Sequence, residues 1–162
     1  MHAQLIVQLL VLLALANGTP VLAKKLLGGR LARPLDGGAR FFDGQPIFGK
    51  SKTIRGIVLS VAATTGFAPF LGASYGMGAL LAATAMAGDL LSSFSKRRLQ
   101  LPESSQAIGL DQVPESLLPA LACRWVAPLS ILDAGLVTIL FLLGELVCSR
   151  VLYRLKIRDR PY

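Results

Sequence analysis

From Gly56 to Gly88 the chain runs for 33 residues without a single Asp, Glu, Lys or Arg. A helix needs about 20 apolar residues to cross the hydrocarbon of a bilayer, so the run is too long for one span. Near its middle lies Gly66-Phe67-Ala68-Pro69-Phe70-Leu71-Gly72, a glycine- and proline-bearing stretch suited to a tight connection. Two short spans joined by a hairpin are therefore expected. The composition agrees: 53% of residues are hydrophobic, 16% are charged and the mean hydropathy is +0.59, a balance that belongs to membrane proteins.

Residues 1–23 also carry no Asp, Glu, Lys or Arg. Ala14-Leu15-Ala16 resembles a signal-peptidase site, but no Lys or Arg precedes the apolar run, which resumes through Val21, Leu22 and Ala23. The segment is read as a retained first span over 3–23. Asn17-Gly18-Thr19-Pro20 is expected to loosen its inner end, because proline removes a backbone donor and crowds the preceding turn. Whether this is a simple kink, or a place where Asn17 and Thr19 line a substrate cavity, position alone leaves open.

Further spans are expected at 56–70, 73–91, 117–132 and 134–152, separated by polar loops at 24–55 and 92–116. The fold class is all-α: a single integral membrane domain over 1–162 with about five transmembrane helices. Lys24 to Arg55 holds eight basic residues and only Asp36 and Asp43 as acids, so that loop is placed in the cytoplasm and the N-terminus outside. With this threading 16 of the 17 Lys and Arg residues fall on or near the inner side, Arg124 excepted. Arg124 and Glu145 are expected to form an interhelical ion pair. Ala79, Ala83 and Ala87, preceded by Gly72 and Gly76, form a small-residue stripe expected to pack against another helix.

The net charge of +8 comes without an aromatic platform or a binding module, so no nucleic acid partner is expected. Two cysteines in apolar surroundings make no disulfide framework or zinc signature, and with His2 the only histidine, histidine-based catalysis is not expected. The polar loops carry the chemistry. Residues 36–56 mix Asp36 and Asp43 with Arg40, Lys50, Lys52, Arg55 and several glycines, a set able to ligate a divalent cation and surround phosphate oxygens. Asp89 lies at membrane depth, where ionisable groups are costly and usually functional. If its helix continues, Ser93 shares its face and Lys96 and Arg97 follow one turn on.

Gly44-Gln45-Pro46-Ile47-Phe48-Gly49-Lys50-Ser51 matches the literal P-loop pattern. A P-loop needs a buried strand before it and a parallel α/β sheet around it, and neither fits lipid-compatible flanks. Asp36-Gly37-Gly38-Ala39-Arg40 approaches the CDP-alcohol phosphotransferase motif but fails on spacing and lacks the downstream aspartates.

A third resemblance covers nearly the whole chain. Asn17-Gly18-x-Pro20, Asp36-Gly37-Gly38, the block from Phe42 to Gly56 with Lys50-Ser51-Lys52-Thr53-x-Arg55-Gly56, Gly88-Asp89, Ser93-Phe94-x-Lys96-Arg97-Arg98 and Gly109-Leu110-Asp111-Gln112 together resemble the CDP-archaeol synthases. These are a branch of the CTP-dependent phosphatidate cytidylyltransferases. The broader superfamily's Asp-Arg pair is Asp111-Gln112 here, and the His-Gly-Gly element of the bacterial CDP-diacylglycerol synthases is missing, which favours the archaeol branch.

The resemblance implies that CTP and 2,3-bis-O-geranylgeranylglycerol 1-phosphate are joined to give CDP-archaeol and pyrophosphate, with Mg2+ as cofactor. It implies Asp89 and Asp111 as metal ligands, with Asp36 and Asp43 as further ones. Asp89, Lys96, Arg97 and Asp111 form the catalytic set. Asn17, Thr19, Lys50, Ser51, Lys52, Thr53, Arg55 and Ser93 are the expected substrate contacts. The partners are CTP, the lipid phosphate, membrane lipids and at most a second copy as a homodimer. The site is expected to face the cytoplasm from the cell membrane. A phosphatidic acid substrate, and a non-catalytic binder of anionic lipids, are the alternatives. The second leaves the recurrence of carboxylates beside the cations without a purpose.

Overall fold

The computed structural model describes residues 2–103, 105 and 107–154. Among these residues five α-helices form an antiparallel bundle: α1 (Ala3–Leu27), α2 (Ile54–Phe67), α3 (Tyr75–Arg98), α4 (Gln112–Cys123) and α5 (Ile131–Arg154). Alternation of direction brings both long polar loops, 28–53 and 99–111, to one end of the bundle. Four segments are long and apolar enough to cross a membrane: Ala3–Leu27, Ile54–Leu71, Tyr75–Arg98 and Ile131–Val151. The all-helical membrane fold is therefore as expected.

Several boundaries differ from expectation. The segment 117–132 is not among these four: its helix begins at Gln112, ends at Cys123 and has only 12 residues, about 18 Å of rise. The loop expected over 92–116 is shorter, because α3 continues to Arg98 and α4 starts at Gln112. Three basic residues in the last turn of α3 favour that extension through the helix dipole. The 68–71 stretch makes a 3-10 turn that lengthens α2, with Gly72 in the left-handed region at its end. The basic tail beyond Arg154 lies outside the described residues.

Pro20 does not open α1. Its missing N–H would have bonded the Ala16 carbonyl, and the Ser60 hydroxyl of α2, fully buried, donates to that carbonyl at 2.7 Å instead. Asn17 Nδ2 and Thr19 Oγ1 donate to Leu13 and Leu15 of their own helix, at 3.1 and 2.6 Å. α2 can approach so closely because Gly56 faces Pro20: a Cβ there would lie 3.3 Å from Pro20 Cβ. Ser60→Ala is expected to destabilise the protein by roughly 1–2 kcal/mol, and by less when Pro20→Ala has restored the amide. A double-mutant cycle on melting midpoints measures the difference, and equal costs in both backgrounds would refute the pairing.

The small-residue face of α3 is not the expected one. Ala83 and Ala87 point outward, and the buried positions as far as Gly88 are Met77, Gly78, Leu81, Ala82, Ala85, Met86 and Gly88. A Cβ on Gly78 would meet Ala68 Cβ at 2.6 Å, and one on Gly88 would meet the Pro114 carbonyl oxygen at 2.3 Å. The expected Arg124–Glu145 pair is also absent. Arg124 closes α4 at the end away from the polar loops, and its Nε donates to the Leu129 carbonyl at 3.2 Å. Glu145 lies 14 residues along α5 from Ile131, about 21 Å away in rise. At that same far end Ser130 and Asp133 cap α5 reciprocally: the Ser130 amide donates to Asp133 Oδ2 at 3.0 Å, and the Asp133 amide to Ser130 Oγ at 3.0 Å.

Candidate active site at the polar-loop end

Loop 28–53 is held by short backbone pairings. Leu35 N donates to Lys52 O and Ile54 N to Arg33 O, while Phe41 N and Ile47 N close a second, smaller hairpin. Asp36 anchors it from inside: Oδ1 accepts from Gly38 N at 3.0 Å, and Oδ2 from Phe48 N and Gly49 N at 2.9 and 3.0 Å. Burial opposes ionisation of this carboxyl, but the Phe48, Gly38 and Gly49 amides together outweigh it and hold Asp36 below the usual carboxylate range. Asp43 accepts from Gln45 N at 3.0 Å.

Consecutive residues on a helix point about 100° apart, so the basic triplet ending α3 diverges. Lys96 Nζ meets Asp111 Oδ1 at 2.6 Å and donates to Ser105 O at 3.1 Å. Arg97 is buried and donates to Pro102 O at 2.9 Å. Arg98 turns to the other loop. Its Nε lies 2.6 Å from Asp43 Oδ2, its Nη2 donates to Pro46 O at 2.7 Å, and its guanidinium sits 4.8 and 4.6 Å from the ring centres of Phe41 and Phe94. Arg98 thus pins the tip hairpin to α3.

The last residue before the cap of α2 completes the centre. Thr53 accepts from Gly56 N at 3.1 Å and caps the helix, so Lys52 projects toward α3, where its Nζ lies 2.5 and 2.6 Å from the two oxygens of Asp89. On the other side, Asp111 Oδ2 accepts from Ala107 N at 2.9 Å, and Gln112 Oε1 from Gly109 N at 2.8 Å. Glu115, only 6% exposed, lies within electrostatic reach of Asp89, Glu145, Lys52 and Asp111. It is put there by Gly88, which lets the Pro114–Glu115 backbone lie against α3 beside Asp89. Asp89 and Lys96 are seven residues apart on α3, two turns along one face, so the Lys52–Asp89 and Lys96–Asp111 pairs border one polar layer.

Of the residues singled out from sequence, Asp89, Asp111, Lys52 and Lys96 are gathered there. Ser93 is buried one turn beyond Asp89. Asn17 and Thr19 are half-buried on α1, with their hydrogen bonds spent on their own helix. Arg55 donates to the carbonyls of Gly28 and Arg30, and Ser51 and Lys50 are exposed on the loop. Asp36 and Asp43 face backbone amides and Arg98, so in this state they organise the loop. Among the described residues no group of three or more His, Cys, Asp or Glu side chains converges to hold a metal ion. Asp89 and Asp111 nevertheless offer oxygen donors already facing a cation, an ammonium, which is the donor chemistry Mg2+ takes. Sequence reasoning missed Glu115 and Arg98. The i, i+4 spacing of Asp111 and Glu115 was the available signal, since it puts both on one helical face.

The chain is similar to known proteins over most of its length. Residues 66–162 match the CarS-like family model, described as CDP-archaeol synthase. The CDP-archaeol synthase of Pyrobaculum calidifontis is 37% identical over 97% of this chain and 98% of its own length. That of Thermococcus onnurineus is 39% identical over 82% and 79%. A solved intramembrane enzyme for archaeal membrane lipids biosynthesis superposes with a TM-score of 0.70 at 26% identity, covering 86% of this chain and 91% of that one. The chain belongs to the CDP-archaeol synthase family, integral membrane enzymes of lipid biosynthesis.

Proposed function

We propose that the chain makes CDP-archaeol by joining CTP to 2,3-bis-O-geranylgeranylglycerol 1-phosphate, with release of pyrophosphate, at a site facing the cytoplasm of the cell. The observation that carries this reading is the pairing of Lys52 with Asp89 and Lys96 with Asp111 at the end where both polar loops meet. The lipid phosphate attacks the α-phosphorus of CTP while pyrophosphate departs, so two anions must be brought together. No general base is needed, because the attacking phosphate is already ionised at neutral pH.

Bound Mg2+ would neutralise phosphate charge and orient the triphosphate. Asp89 and Asp111 would hold it, and their ammonium partners would turn to phosphate oxygens. Lys52 comes from the loop, Lys96 from α3 and Asp111 from the residue before α4, so three separate segments contribute to the set. Isoprenoid chains can lie along the exposed apolar faces of the helices, such as Ile139, Leu143 and Val147 on α5. The eight basic residues from Lys24 to Arg55 support a cytoplasmic side for this end.

The test is incubation of the purified full chain in detergent with labelled CTP, Mg2+ and either the ether lipid phosphate or phosphatidic acid, following the CDP-lipid. Product from the ether lipid, lost on chelation of Mg2+, is the expected result. Product from phosphatidic acid alone would reassign the lipid, and no product from either would refute catalysis.

A further inference from the structure

The pattern Gly44 to Ser51 fails as a P-loop, yet its backbone still presents amides to anions. Gly49 adopts φ +92°, and three successive N–H groups meet carboxylate oxygens: those of Phe48 and Gly49 reach Asp36 Oδ2, and that of Lys50 reaches Glu103 Oε1. Turns of this kind form concavities that bind anions. The two carboxylates are held differently. Asp36 is bonded at 2.9 and 3.0 Å within its own loop, whereas Glu103 arrives from loop 99–111 and makes a contact of 3.4 Å, beyond the usual range for a firm N–H···O bond.

Asp36, Gly38, Arg40, Pro46, Gly49, Lys50 and Glu103 line a cavity of about 100 Å3. Glu103 Oε1 comes within 2.8 Å of where a Cβ on Gly49 would stand. Glycine is thus required there twice, for the positive φ and for the space that the anion occupies.

We infer that the Lys50 amide, with the Arg40 and Lys50 side chains, is a phosphate subsite, and that Glu103 is the displaceable anion filling it until a phosphate arrives. The inference rests on the cytidylyltransferase reading and adds to it a pocket wall and a competitor that the Lys52–Asp89 and Lys96–Asp111 pairs do not supply. A phosphate carries more charge than a carboxylate and more acceptor oxygens, so it outcompetes Glu103 for the amide and both cations. Asp36 stays as the frame. When Glu103 leaves, loop 99–111 loses its contact with the Lys50 amide of loop 28–53, so binding at this point is coupled to how the two loops are joined.

The experiment is calorimetric titration of the full-length protein and of Glu103→Gln, in detergent, with CTP, pyrophosphate and glycerol 1-phosphate. Because Glu103 is only half-buried and its one contact with loop 28–53 is a long 3.4 Å bond, the variant is expected to melt as the parent does. At least one probe should bind about fivefold more tightly to Glu103→Gln, and Gly49→Ala should lose that binding. A gain for CTP and pyrophosphate assigns the subsite to the nucleotide, and a gain for glycerol 1-phosphate alone assigns it to the lipid phosphate. Parent protein that binds CTP and pyrophosphate, with no gain for any probe in Glu103→Gln, overturns the role of Glu103 while leaving the catalytic reading intact. Parent protein that binds none of the three overturns both.

Discussion

Asp89→Asn is expected to lower turnover by roughly 10²–10³-fold, the scale of losing one preorganised electrostatic contact at a reacting centre, while the protein stays folded. Asparagine keeps the volume and can still accept one N–H from Lys52, whose ammonium now lies 2.5 and 2.6 Å from the two carboxylate oxygens. The site is also about a quarter exposed, so a stranded ammonium there retains water. Charge and the second anionic oxygen are what disappear. Turnover at saturating CTP and Mg2+, set beside the melting midpoint, separates the two effects. Near-parental turnover would remove Asp89 from the chemistry, and a large fall in melting midpoint would make its role structural.

Gly88→Ala should produce the largest structural effect, a destabilisation of about 3 kcal/mol or more with collapse of activity. The added Cβ would stand 2.3 Å from the Pro114 carbonyl oxygen, 2.5 Å from its carbon and 2.7 Å from Glu115 Cα. All three are backbone atoms, so no rotamer change relieves the clash and α4 must move off α3. That movement carries Asp111 and Glu115 away from Asp89. Gly76→Ala, on the same helix, provides the control: its Cβ would have only Ser74 Oγ nearby, at 3.9 Å. Melting midpoints that fall equally for the two variants would show that the α3–α4 approach does not depend on Gly88.

Much of the architecture could be read from the residues because lipid imposes simple rules. An uncharged run longer than one span, a break at Gly66–Gly72 and clustered basic residues suffice to give hairpin, spans and loop end. Where those rules weaken, expectation failed. The region 112–132 contains apolar residues enough for a span, but Pro128 and the turn at 124–127 end its helix early. Hydropathy does not register where a helix stops. Pro20 was expected to loosen α1, yet the helix runs through it, because Ser60 supplies a substitute donor from 40 residues away in sequence.

The sequence by itself determined that this is a helical membrane protein with acidic and basic groups concentrated in two loops, since charge placement and apolar run length are local quantities. It also determined the family, through blocks of residues long enough to be specific. Only the tertiary structure decided which charge meets which: Lys52 with Asp89, Lys96 with Asp111, Arg98 with Asp43, and Glu103 at the Lys50 amide. It likewise decided that Gly78 and Gly88, rather than Ala79, Ala83 and Ala87, are the points of close helix approach. Those pairings depend on helix rotation and crossing position, which are set by packing between segments distant in the chain and leave no periodic mark within any one of them.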